Sequence, residues 1–110
     1  MSDLPEADWK VFRKIHAAAL QRFFASVLDE AQQLTSIPGR RPHVQYLKLY
    51  KLIEKRDREL ADAFNDYRRS TALGQMAKIQ CLGVVAEEEL LAFSERTRER
   101  LENIRQINEG

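Results

Sequence analysis

From Trp9 onward, apolar residues return at steps of three or four, and Phe12, Ala19, Leu20, Phe23, Val27 and Leu34 keep to one side of a 3.6-residue helix. Asp3 followed by Glu6 has the form of a capping box, and Pro5 is tolerated in a first turn. A first helix is therefore expected over about 4–35. The row stops at Ser36-Ile37-Pro38-Gly39. There Pro38 lacks a donor and restricts Ile37, Gly39 admits unusual dihedrals, and Pro42 suits the opening turn of a new helix.

A second helix is expected over about 42–70, carrying Tyr46, Leu49, Ile53, Leu60, Phe64 and Tyr67. Tyr46, Ile53, Leu60 and Tyr67 are seven apart, as in a bundle seam. The break after it is weakly marked. Arg68 and Arg69 complement a helix C-terminus and Ser70 or Thr71 can cap a successor, while Gly74 only weakens helix. Met76, Ile79, Gly83, Ala86, Leu90, Phe93, Thr97, Leu101 and Ile104 then form one more row, predicting a third and longest helix over about 71–108.

These rows predict an all-α fold, one domain over 1–110, arranged as an antiparallel three-helix bundle with coiled-coil-like packing. The alternative, if no break is made at Ser70-Thr71, is a long helical hairpin paired in a dimer. Matching antiparallel neighbours puts Trp9 and Phe12 level with Phe64, Tyr67 and Met76, and Phe23 level with Ile53 and Leu90.

Composition narrows the function classes. Eighteen Lys and Arg against seventeen Asp and Glu leave a net charge of +1, so any electrostatic recognition is local. A single cysteine, Cys81, makes no internal disulfide, and the opening residues have neither a basic nor an apolar leader pattern. Charges interrupt every apolar stretch before membrane-spanning length, so the expectation is a cytoplasmic protein without a membrane partner.

Catalytic and metal chemistry find little support. Glu-x-x-His, Cys-x-x-Cys, His-x-x-x-His, Gly-x-Gly-x-x-Gly, a Walker loop and Gly-x-Ser-x-Gly are all missing from the sequence. His16 lies on the core row of the first helix, where a partly buried, hydrogen-bonded imidazole is expected, and His43 is expected at the surface. Cys81, among Ile79, Leu82 and Val84, reads as a small hydrophobe, and Glu87-Glu88-Glu89 as a solvated face. No catalytic residue, metal ligand or cofactor is assigned, and the expectation is a protein that is not an enzyme.

Two surfaces remain. In 40–58, seven cations face only Glu54 and Asp57, and Lys48, Lys51, Lys55 and Arg58 fall on one outward stripe. With Arg41 they form a candidate anion or nucleic-acid face. Extra apolar rows form the other surface: Leu73, Ala77, Cys81, Val84 and Leu91 on the third helix, and Ala17, Phe24 and Leu28 on the first. Helices apolar on more than one side are buried on more than one side, so these rows are expected to merge into a protein interface, with a homodimer first and an unknown protein partner second. The leading expectation is a small, non-enzymatic helical interaction and oligomerisation protein. A nucleic-acid-associated factor using the basic face stands second.

Overall fold

The structure is a computed structural model and describes residues 4–109, with side chains as far as residue 107. Asp3, half of the expected capping box, lies outside the described residues. The fold is all-α: α1 (Glu6–Thr35), α2 (Pro42–Phe64), a 3₁₀ turn (Arg69–Thr71), α3 (Ala72–Cys81), α4 (Glu87–Leu90) and α5 (Glu95–Glu109), with no strand among the described residues.

The first helix begins and ends close to where the apolar row does. Its last carbonyls are taken up locally, with Ser36 Oγ donating to Gln32 O at 2.7 Å and Thr35 Oγ1 to Ala31 O at 2.9 Å. Gly39 turns the chain at φ +80°, and Gln45 Nε2 reaches back to Thr35 O (3.3 Å) and Ile37 O (3.2 Å), locking the loop against α2. Contacts between α1 and α2 then run in opposite directions along the two helices, from Glu30 with Arg56 to His16 with Phe64, making an antiparallel hairpin.

The second helix ends at Phe64, short of the expected residue 70. Arg68 pairs with Asp66 at 2.7 Å, and Thr71 Oγ1 donates to Asp66 O at 2.7 Å and does not cap α3. Arg69 Nε donates to Leu4 O at 2.7 Å, tying this turn to the start of the chain. A continuous helix from 43 to 108 is thereby replaced by a corner.

The expected third helix is divided into three. Gly83, counted in the sequence as a core position, is exposed and left-handed at φ +74°. Its N–H bonds Gln80 O at 3.0 Å, ending α3 in the way glycine commonly ends helices. Glu89 Oε1 accepts from Ala86 N–H at 2.9 Å to start α4, and Ser94 Oγ accepts from Thr97 N–H at 3.3 Å to start α5. Met76, Ile79, Phe93, Thr97 and Leu101 are nonetheless buried, because each turn returns the row to the core.

That core gathers at one end. Phe12, Met76, Ile79 and Thr97 are its largest fully buried side chains, and burying a residue such as Phe12 contributes roughly 2–3 kcal/mol. Trp9 stacks on Phe12 at 5.6 Å and meets Tyr67 at 5.5 Å, while Phe23 lies 5.8 Å from Phe64. The buried residues of α1 stop at Val27, and those of α2 are Ala63 and Phe64 alone. The far half of the hairpin is thus supported mainly by itself, which explains an elongated molecule of 53 × 24 × 23 Å.

Candidate functional site: two sides of a helical hairpin

On the far half, α2 turns the half-buried residues Leu49, Leu52, Arg56 and Leu60 toward α1. Arg56 is held there by both oxygens of Glu30 (2.7 and 2.9 Å) and by Glu59, which keep its guanidinium pKa above the usual value. The seam expected through Tyr46 and Ile53 lies about 65° further round the helix and is exposed at both residues. Spacing identified the row but not its neighbour. Only its Phe64 end is buried, against His16 and Phe23.

Phe24 and Leu28 of α1 join this row. With Phe23, Val27, Ile53, Arg56 and Asp57 they line an apolar groove of about 310 Å³. Leu28 is 69% exposed, Tyr46 61% and Tyr50 58%. The same side of α1, by helical rotation, carries Ala17, Gln21, Ala25 and Gln32, with Lys10 and Lys14 toward its N-terminal end, and that of α2 carries His43 and Leu47, with Asp57 beyond Ile53, so charge on this face is confined to its end nearest the core.

Across the seam lies a second cleft, of about 610 Å³, lined by Glu30, Gln33, Leu34, Ile37, Arg40, Lys48, Lys51, Leu52 and Lys55. The three lysines of the expected basic stripe fall together here. Arg40 from the interhelical loop joins them, whereas Arg41 is not among the lining residues, and Arg58 leans to Glu54 at 3.8 Å.

The expected apolar rows do not merge. Ala17, Phe24 and Leu28 are exposed on α1, but Ala77 and Val84 are buried in the core and Leu73 is half-buried. Cys81 is exposed in a small cleft between α2 and α3 with Glu59, Asp62 and Lys78, and Leu91 is exposed in another beside Val85 and Arg98. The division of the third helix separates them: its C-terminal pieces fold back on α3, so a row continuous on paper is distributed over several surfaces.

Three polar residues hold the compact end together. Asp8, buried on α1, accepts from Ser94 N–H (2.8 Å), Ser94 Oγ (2.7 Å) and Thr97 Oγ1 (2.6 Å) at the start of α5. Burial pushes its carboxyl up, but the hydrogen bonds from Thr97 and Ser94 outweigh this and hold it below the ordinary carboxylate value. His16 is half-buried as its row implies. Its Nε2 donates to Phe64 O at 3.1 Å and its ring lies 4.5 Å from that of Tyr67. Arg22 donates to Val84 O at 3.0 Å and to Glu89 at 2.6 and 3.2 Å, pinning the turn between α3 and α4 to α1. Glu89 is therefore a tether, although Glu87 and Glu88 are exposed as expected, and the Arg22 contact lowers its carboxyl pKa.

Among the described residues no three His, Cys, Asp or Glu side chains are grouped so as to hold a metal ion, and no helix is long and apolar enough to cross a membrane. Comparison with protein-family models, with curated proteins and with solved structures finds no match to the chain. The two sides of the hairpin are the surfaces on which the fold leaves unpartnered apolar and basic side chains.

Proposed function

We propose that this is a small, non-enzymatic helical interaction protein that self-associates through the tyrosine-bearing side of the α1–α2 hairpin. The observation carrying this reading is the exposed row of Phe24, Leu28, Ile53, Tyr50 and Tyr46. An interface core is depleted of charge and enriched in aromatic residues, and this face has both properties. Its five large side chains leave on the order of 500 Å² of apolar surface accessible per subunit. With the flanking glutamines, that approaches the roughly 600 Å² per partner of a small stable interface. A two-fold axis across the groove would pair the same patch with itself and give a four-helix layer of two hairpins.

The non-enzymatic part of the reading is supported by His16, whose Nε2 is committed to a main-chain carbonyl. A cytoplasmic location belongs to the proposal as well, supported by an exposed thiol without a second cysteine to pair with.

Sedimentation velocity at tens of micromolar tests the proposal. The parent protein is expected as a dimer, and Leu28→Glu and Tyr50→Glu as folded monomers, since each puts a charge into the centre of the contact. A folded parent that sediments as a monomer overturns it.

A further inference from the structure

The cleft across the seam from the tyrosines carries charge that nothing in the fold uses. Arg40, Lys48, Lys51 and Lys55 line it, and among the described residues none of the four makes an ion pair. By contrast Arg56, Arg58, Arg68, Arg69 and Lys78 each have a carboxylate within 4 Å. The one carboxylate on the cleft wall is Glu30, and both its oxygens are taken by Arg56. Leu34, Ile37 and Leu52 supply apolar lining, which focuses the field of the surrounding cations.

We propose that this cleft binds the phosphate backbone of double-stranded nucleic acid without regard to sequence. The cations form a line and not a single cradle: at ~1.5 Å per residue, Lys48, Lys51 and Lys55 succeed one another at steps of ~4.5 and ~6 Å along α2. A line of that kind meets successive phosphates, which a duplex presents at one charge per ~1.7 Å of its axis. The lining contains no aromatic ring on which an unpaired base could stack. Tyr46 and Tyr50 lie about 170° and about 130° round α2 from the middle of the Lys48, Lys51 and Lys55 line, too far to serve the same strand. Recognition is therefore of backbone charge, with the bases left paired. This site is independent of the self-association face, and a dimer built on that face would leave two such clefts open.

Fluorescence anisotropy with a labelled 20-base-pair duplex, titrated at several salt concentrations, tests the proposal. Four phosphate contacts predict a slope of log affinity against log salt of about −3.6, hence a loss of about 150-fold between 50 and 200 mM salt. Two duplexes of unrelated sequence should bind alike. Lys51→Gln with Lys55→Gln, both exposed, should reduce the slope by about 2, while Lys10→Gln with Lys14→Gln, an equal charge change on exposed residues of α1, should leave it unchanged. The proposal is overturned by no binding at 50 mM salt, or by equal weakening in the Lys10 and Lys14 control. Tighter binding to a single strand of equal length, or to phosphatidylserine vesicles, also overturns it.

Discussion

Asp8 Oδ2 accepts a 2.6 Å hydrogen bond from Thr97 Oγ1, joining two side chains that are 89 residues apart and respectively 2% and 1% exposed. Ser94 completes the arrangement from its main chain and its hydroxyl, so one carboxylate both anchors the start of α5 to α1 and complements the positive end of that helix. Removing it leaves three donors without their acceptor, of which Thr97 Oγ1 is buried away from water. Asp8→Ala is expected to cost about 3 kcal/mol and Asp8→Asn somewhat less, measured by urea unfolding at pH 7.

The same carboxylate makes stability depend on acid. Its pKa is lower folded than unfolded, so its contribution is fully present above the unfolded value of about 3.9 and is lost as pH falls through the folded one. Unfolding free energies measured from pH 6 down to pH 2 should fall less steeply in Asp8→Asn than in the parent. Equal slopes would show that Asp8 is not part of the acid response.

The exposed glycines Gly74 and Gly83 should respond in opposite ways to the same substitution. Gly74 sits in α3 with open space around its Cα, so Gly74→Ala is expected to stabilise by about 0.5–1 kcal/mol. Gly83 also has room for a methyl group, but its φ of +74° is unfavourable for any L side chain, and Gly83→Ala should destabilise by about 1 kcal/mol. Thermal melts of the two variants decide the matter by the sign of the shift.

His16 supplies the donor for Phe64 O, one of the carbonyls that the end of α2 leaves without a helical partner. His16→Leu keeps the bulk among Phe12, Phe64 and Tyr67 and discards that donor, so a loss of about 1 kcal/mol is expected in chemical unfolding at pH 8. A variant as stable as the parent would show that water serves this carbonyl equally well.

Arg22→Ala should act locally. Losing both the Val84 carbonyl and Glu89 frees the connection between α3 and α4, while the buried residues on either side stay in place. Limited proteolysis is expected to speed cleavage within 82–92, with a change in global stability of less than about 1 kcal/mol for so exposed an ion pair.

The first helix was legible because its row is unbroken and Pro38 and Gly39 stop it abruptly. The third was not, although its buried residues were: a chain that turns twice can return Met76, Phe93 and Leu101 to the core as well as a straight helix can. Local signals for the turns were present in Gly83, in the acidic first turn of α4 at Glu87-Glu88-Glu89 and in Ser94 as a cap before Glu95. Asp8 gave no local sign of its burial, since its partners lie at the other end of the sequence. The common side of Lys48, Lys51 and Lys55 follows from spacing alone. That Arg40 joins them and Arg41 does not depends on the path of the loop through Gly39, which spacing does not encode.

The uneven cover of the hairpin has a consequence for amide exchange. Between about residues 28 and 56 each helix is protected chiefly by the other, while residues 8–23 are clasped by α2, α3 and the start of α5. Deuterium uptake should therefore rise along α1 from its N-terminal half toward Thr35 and fall along α2 toward Phe64, mirror gradients within one hairpin. Any occupant of the outer half, on either side of the seam, would be registered there as a flattening of both gradients, well before the melting temperature of the whole chain responds.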